Sequence, residues 1–590
     1  MDPSTWRNFR SMSEAERRRR WRRLCRRVVY VLLAIPLAFV LGYRYSPDRP
    51  TDFADDVDHL KYGSIGSDIE NGLPVRVMRV LPSLYGDELV AVLREQMPED
   101  KRKQVDWTAV PRDWTAFGFV REPNHELPIG FSKRRVIVDR TGLNCGACHI
   151  GYVRRKSGDP LHVVPTMPAN TVDVLAYFKF LFRCAEDPQF IDRVYAAMLR
   201  DGGLAPDERL LYAKLILPQM KKALLTRRDE IAKVVRTPWG PGRAQTFEAY
   251  KVNPTQFASH YGDDPATKDV NEAAVPEEEC HGPVDFPSIW NQRPRERLQL
   301  HWDGNNTSVM ERNISAALGA GATRERVDLR RIGRLREWMW DVPAPAYPFD
   351  PPADTDKAVS RGHIVYTQYC ADCHDLGGRY VGTVVDIEAI GTDPGRWLSF
   401  TDKLVGIQRA YSKGYEWEWR NFGKTIGYAN HPLDGIWARA TLLHNGSVPN
   451  MWNLLTPADQ RTAQIEAETG GKGFWTGHGV YDEKRLGFQV NVTSSAGRPA
   501  FWYDLTAKGN SNAGHTGRAY GTELPPNEKW DLIAFLKSPR GVKADGRPHR
   551  HGPTPPPPPP PPIDRPSRDG YQQPRAAARP PAPVTPATGT

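Results

Sequence analysis

The sequence predicts a mainly α-helical chain with extensive loops, and three observations carry that prediction. The first is a pentapeptide, Cys145-Gly146-Ala147-Cys148-His149, that recurs as Cys370-Ala371-Asp372-Cys373-His374. This C-x-x-C-H pattern is the attachment signature of a c-type haem. Its two thiols add to the haem vinyl groups, and the adjacent histidine supplies one axial nitrogen to iron. The second is apolar spacing of helical type in long stretches such as Glu208–Val235. The third is the 49 Gly and 53 Pro that break the remainder into short pieces. Two copies of the pentapeptide among only 7 Cys and 15 His make coincidence an insufficient account. Zinc would need a second Cys/His pair near each copy, and neither copy has one. The expected fold is therefore two covalent-haem domains, preceded by one membrane helix and followed by a disordered proline-rich tail.

Charge is concentrated at the ends. Residues 1–27 net +7 and residues 540–590 net +5, which leaves the body at −2 of the overall +10. A basic face on the body is thus lacking, which argues against nucleic acid as a partner. Residues 1–27 read as a basic cytoplasmic segment. Val28–Tyr43 is an apolar run of 16 residues, short of the roughly 20 that a spanning helix usually needs. Arg27 can snorkel at one end, and Tyr43 and Tyr45 anchor the other. We read 28–45 as an uncleaved transmembrane anchor, since no A-x-A-like cleavage site follows it. The positive-inside bias then places the body in the periplasm of a bacterial inner membrane.

Residues 46–59 are polar and Asp-rich and read as a linker, and 60–342 as the first haem domain. Within it, Thr115–Val120 reads as an extended segment. Thr171 is placed to cap a helix through Val172, Leu175, Phe178 and Leu181. Thr237–Asp285 is expected to be loop. Phe286–Gln292 and His301–Asn306 combine aromatic and polar residues without periodicity, in the manner of a pocket wall. Arg324–Trp340 reads as a helix. Cys184 and Cys280 remain outside the haem motifs, either paired in an oxidising compartment or as two buried thiols.

Pro343–Pro352 is the main expected domain boundary. After it, Ser360–Cys370 looks like the first helix of a small cytochrome c domain with the motif at its end, and Glu528–Lys537 like the closing helix that crosses it. The second domain, 353–540, is the clearer of the two. Residues 541–590, with an unbroken run from Pro555 to Pro562, cannot pack a core.

Phe117-Gly118-Phe119, Leu127–Ser132, Gly142–His149, Pro168–Asp173 and Leu443–Pro449 resemble the di-haem c-type cytochromes related to bacterial rubber oxygenase. More distantly, they resemble the di-haem cytochrome c peroxidase and MauG group. The resemblance spans about residues 55–540. It implies two covalent haems, one an open or weakly capped reaction centre and the other an electron relay. The chain departs from secreted rubber oxygenases in its anchor and its proline-rich tail. An anchored enzyme does not readily meet an extracellular solid, so the polymer substrate does not carry over.

Each iron has a sixth position, closed by His or Met for electron transfer or left open for O₂ or peroxide. For the second haem the candidates are His515, His444 and Met451. The resemblance selects His515, because a late Gly-His loop supplies the cap in those relatives. For the first haem, His162, His281 and His301 are available, but none has a ligand-like context, so an open or water-bound iron is expected at His149. Trp290 and Trp302 are candidates for pocket walls or for an electron path. These assignments give Cys145, Cys148, His149, Cys370, Cys373 and His374 as haem-binding residues, His149, His374 and His515 as iron ligands, and His149, Trp290 and Trp302 as reaction-site candidates. The expected function is a haem-dependent oxidoreductase of dioxygenase or peroxidase type, served by a redox partner protein and acting on an organic substrate. A pure electron-transfer cytochrome with both haems six-coordinate is the alternative, and a scaffolding module with structural haems the third. About 225 residues between the two motifs are more than a carrier needs.

Overall fold

The computed structural model describes residues 13–44, 48–245, 275–349, 355–538 and 571–572. Helix α1 spans Glu14–Arg44, 31 residues, and joins the arginine-rich start to the apolar run. Trp21, Leu24, Val28, Leu32 and Ile35 are exposed along it. No helix among the described residues is long and apolar enough to cross a membrane. Residues 28–44 of the expected spanning segment form the second half of α1, so the expectation of a membrane-crossing helix there is not supported.

The expected linker is tied to the body. Arg49–Pro50 pairs antiparallel with Arg134–Arg135, and Asp48 forms an ion pair with the buried Arg134. Helix α2, Asp56–Tyr62, already begins inside the segment, because Asp55 Oδ1 accepts from Val57 N and Asp58 N at 2.8 and 3.0 Å. An acidic stretch reads as solvated; here its carboxylates are caps and ion-pair partners.

Helix α3, Cys145–His149, carries the first motif and runs directly into a strand, Ile150–Val153, paired antiparallel with His162–Pro165. Thr115–Val120 is not extended: Trp114–Phe117 forms a 3₁₀ turn. Helix α4, Val174–Glu186, is capped by Asp173, whose Oδ1 accepts from Ala176 N at 2.8 Å. Thr171, the expected cap, instead donates Oγ1–H to the Gly118 carbonyl at 3.0 Å. The long helix expected over Glu208–Val235 is a compound of Pro206–Leu211, a π-helical turn Tyr212–Ile216 and α5, Leu217–Val234. Pro218 has no N–H for the carbonyl four residues back, which is the ordinary cause of such a widened turn.

Helices α6, Val309–Gly319, and α7, Leu329–Asp341, follow. The latter starts later than the apolar spacing suggests, because the Asp328 side chain caps it through Arg331 N. The described part of the proline-rich boundary does not separate two cores. Tyr347 lies edge-on to Trp437 at 5.9 Å between ring centroids. One hydrophobic cluster unites Val153, Met167 and Trp290 with Val448, Phe488 and Leu532. The expected domains 60–342 and 353–540 therefore share a core.

Helices α8, Thr355–Tyr369, and α9, Pro526–Lys537, pack against each other. Arg361 clamps Asp531 with two bonds of 2.6 and 2.7 Å, and the Tyr366 and Phe535 rings meet at 5.1 Å. At the contact, a Cβ on Gly362 would fall 1.9 Å from the Asp531 carbonyl oxygen. Cys184 and Cys280 are buried in different hydrophobic clusters with no disulfide between them, the second of the two readings. The tail lies outside the described residues except for Tyr571–Gln572, which adds a strand to Val384–Val385. Val384–Asp386 pairs in turn with Gly427–Ala429.

Candidate haem centres

The second motif lies at the end of α8, and its Cys370, Cys373 and His374 line one cavity together with His515. The His374 Nδ1–H donates to the His431 carbonyl at 2.7 Å. An acceptor of this kind behind a ligating imidazole fixes the tautomer and leaves the Nε2 lone pair for a metal. Desolvation holds the His374 imidazole down to about 4, so it is neutral and able to bind.

Across the cavity, the His515 ring faces His374 with centroids 6.3 Å apart. Two imidazoles on opposite sides of one metal ion, each nitrogen about 2 Å from it, put their centroids roughly 6 Å apart. His515 sits at φ +46°, a left-handed conformation costly for a residue with a Cβ. Gly514 beside it has φ +74°, and a Cβ there would fall 2.4 Å from the Gly391 and Thr392 backbone. Arg461, wholly buried, holds the loop. Its Nη1 donates to the Asn512 and Gly514 carbonyls at 2.7 and 2.8 Å, and its Nη2 to the His515 carbonyl at 2.8 Å. His515 N donates to the Ile390 carbonyl at 3.0 Å.

His444 and Met451 also line this cavity. The His444 ring stacks on Tyr428 at 4.1 Å between centroids, which orients it as a wall.

The first motif is built differently. Asn144 caps α3 by accepting from Gly146 N at 2.9 Å, and its Nδ2 donates to the Lys61 and Gly63 carbonyls. Cys145 packs against the clusters that hold Ile65 and Ile289, and Cys148 against the large cluster around Phe117. The His149 Nδ1–H donates to the Pro287 carbonyl at 2.8 Å, the same arrangement as at His374. Desolvation lowers its pKa to about 4. Burial pushes the Cys145 and Cys148 thiols up to about 11 and 12, which disfavours the thiolates that a zinc site needs. Among the described residues, no group of three or more His, Cys, Asp or Glu side chains converges on a metal-sized point.

Of the other histidines, His162 is exposed. His281 uses both ring nitrogens, toward Thr237 Oγ1 and Glu277, each at 2.8 Å. His301 lies 6.2 Å from the Phe422 ring. Trp290 is fully buried in the shared core and donates Nε1–H to the Asp434 carbonyl. Trp302 lines the second cavity and stands edge-on to His431 at 5.6 Å. Its Nε1–H donates to the Asp285 carbonyl at 2.7 Å. Asp285 is two residues from Pro287, which holds His149. The segment 285–287 thus accepts hydrogen bonds both from a wall residue of the second cavity and from His149.

The fold and both centres admit a comparison with known proteins. Residues 427–464 match the family described as RoxA-like, cytochrome c-like. The second centre is a cytochrome c-like domain. Half of the residues lining its cavity fall within the matched stretch, among them His431, Arg439, His444 and Met451. The donor set there suits a covalently attached c-type haem. The chain is also 25% identical over 538 residues to an uncharacterized protein, y4iJ, of Sinorhizobium fredii, covering 72% of this chain and 83% of that one. A second uncharacterized protein of the same organism, y4iM, is 28% identical over 303 residues, which are 43% of this chain and 64% of that relative.

Arg461, Arg439 and His431 escape a reading of the sequence. Arg461 and His431 act through contacts with segments distant in the chain, Arg439 through its place on the cavity wall, and none lies in a C-x-x-C-H motif.

Proposed function

We propose that the chain carries two covalent haems and works as a haem-dependent oxidoreductase of dioxygenase or peroxidase type. In this reading one haem is held through Cys145, Cys148 and His149. The other is held through Cys370, Cys373 and His374, with His515 on its far side. Bound haem supplies one-electron transfer and, where its sixth position is open, the binding of O₂ or peroxide. The chain's own part is to keep His149 and His374 neutral by burial, to orient them through the Pro287 and His431 carbonyls, and to close the second centre with His515. The observation that carries the proposal is the hydrogen-bonded link through residues 285–287. Trp302, on the second cavity, bonds the Asp285 carbonyl two residues from the acceptor of His149, a short covalent and hydrogen-bonded connection between the centres.

Two further parts of the reading concern placement. The exposed apolar side chains of α1, beside its arginines, suit attachment to a membrane, with the body on the periplasmic side and a redox partner protein as electron donor or acceptor. Retention in the membrane pellet through a carbonate wash would be the expected behaviour.

Low-temperature EPR of the oxidised, haem-loaded protein tests the central claim. We expect one high-spin and one low-spin haem in equal amount. Two low-spin haems would remove the open site and leave electron transfer as the activity.

A further inference from the structure

We propose that Arg439 and Arg312 are the carboxylate-binding residues of the two centres, taking the propionate groups of the second and first haem respectively. The inference rests on the two-haem reading above and adds the recognition of the haem's acidic edge.

Arg439 is 9% exposed and lines the second cavity together with Cys370, His374 and His515. Among the described residues its guanidinium makes one hydrogen bond, from Nη1 to the Pro432 carbonyl, and no ion pair. Its charge reaches His374. Arg312 is 8% exposed and has only neutral partners: Gln292 Oε1 on Nη1 at 2.7 Å, and Asn313 Oδ1 on Nε and Nη2 at 3.3 and 3.0 Å. Its helix α6 contributes Ile314 to the cluster that Cys145 packs against, and its charge reaches Cys145 and His149. Among the described residues, neither guanidinium therefore has a carboxylate at ion-pair distance, though Glu296 acts on Arg312 and Asp434 and Asp285 act on Arg439 from further away.

The nearby carboxylates do not fill that role. Asp434 is committed to Arg295 at 2.6 Å, both residues 7% exposed at the side chain. Asp285 is buried, which pushes its carboxyl well above the usual range, and it makes no direct ion pair with Arg439 among the described residues. Burial, the largest cause, lowers both arginines to about 10 and Arg295 adds repulsion to each, against a partial offset from Glu296 at Arg312 and from Asp434 and Asp285 at Arg439. An unpaired buried cation is strongly unfavourable, and a carboxylate presented to the planar guanidinium fork is the partner that best offsets it. A haem carries two such carboxylates at the edge opposite its thioether links. The cavity that receives the second haem presents Arg439 on its wall.

The test is a spectroelectrochemical titration of the full-length protein after its haem content has been counted as the pyridine haemochrome. A cation beside a haem disfavours the oxidised state, so Arg439→Gln should lower the midpoint of the low-spin haem. At fixed potential its oxidised-to-reduced ratio should rise at least tenfold, which is about 59 mV for a one-electron couple. Arg312→Gln should do the same to the other haem. Arg439→Lys, which keeps the charge but not the fork, should hold the midpoint within threefold in that ratio and still shift the propionate-bending band in resonance Raman. An unchanged midpoint and band in both Arg439 variants would overturn the assignment, as would a shift confined to the His149 haem. A count below two haems in the unmutated protein would instead defeat the two-haem reading, whatever the arginines do.

Discussion

The imidazoles of His374 and His515 face each other across one cavity, 6.3 Å between centroids and with planes 41° apart. His374 is held by the His431 carbonyl, and His515 by a loop that Arg461 ties from beneath. The two rings come from opposite ends of the cytochrome c-like domain, and their separation is that of two ligands on one metal ion. Replacing His515 with Ala should convert the second haem from low-spin to high-spin, visible as a new high-spin signal in EPR and magnetic circular dichroism. Added imidazole should restore the low-spin form. A spectrum that does not change would remove His515 from the coordination sphere.

Arg461 spreads its donors over six backbone carbonyls, three in residues 453–456 and three in 512–515. It is wholly buried and has no carboxylate partner among the described residues. Arg461→Met preserves much of the volume and removes every donor. Buried acceptors left without a donor cost about 1–3 kcal/mol each where water cannot replace it, so a loss on the order of 4 kcal/mol is expected. Guanidinium unfolding of the haem-loaded protein measures it. The same variant should show a fraction of high-spin second haem, because the loop that presents His515 loses its anchor. Wild-type stability together with wild-type spectra would show that the loop holds itself.

How much of this was legible in the sequence depends on how local each cause is. The two C-x-x-C-H motifs and the helices α8 and α9 are contiguous patterns, and they stand where the pattern places them. His515 was reachable only through a family likeness, since nothing around Gly514-His515 specifies a partner far back in the chain. Arg461 lies in Ala458–Thr469, a helix rich in polar residues; the residues just before that helix and the distant loop 512–515 wrap over it. The proline-rich stretch near 343–352 obeys the local rule for a boundary. The core that unites Trp290 with Val448 is a long-range fact that local rules do not contain. Asp173 displaced Thr171 as a cap because Thr171 found the Gly118 carbonyl, a contact across 53 positions.

Gly362 marks the closest approach of α8 and α9. A Cβ there would lie 1.9 Å from the Asp531 carbonyl oxygen and 2.8 Å from Phe535 Cβ. Both neighbours are structural and cannot swing aside, so the helices must separate. Gly362→Ala should cost about 2–3 kcal/mol, the upper range for overpacking, despite the better helix propensity of Ala. Thermal unfolding followed at the haem band would register the loss; a variant as stable as the parent would mean that the crossing has slack.

His478 supplies a pH dependence remote from the haem ligands. The side chain is 1% exposed, Nε2 donates to the Trp475 and Gln489 carbonyls at 3.2 and 3.0 Å, and Nδ1 accepts from Val480 N at 3.0 Å. This pattern requires the neutral Nε2–H tautomer, since a proton on Nδ1 would oppose the Val480 N–H. Burial, the largest cause, lowers its pKa to about 4. In the unfolded chain the imidazole titrates near 6.5. Below that pH the unfolded state takes up a proton that the folded state refuses, so stability falls as pH falls. The contribution is fully present above about 6.5 and is lost progressively down to about 4, where the folded state also protonates. Between pH 6.5 and 5 the loss is about 1.6 kcal/mol. Denaturant unfolding at a series of pH values should show it, and His478→Gln should lessen the slope over that window by the equivalent of one proton. A variant with the parent's slope would assign the acid sensitivity to other groups.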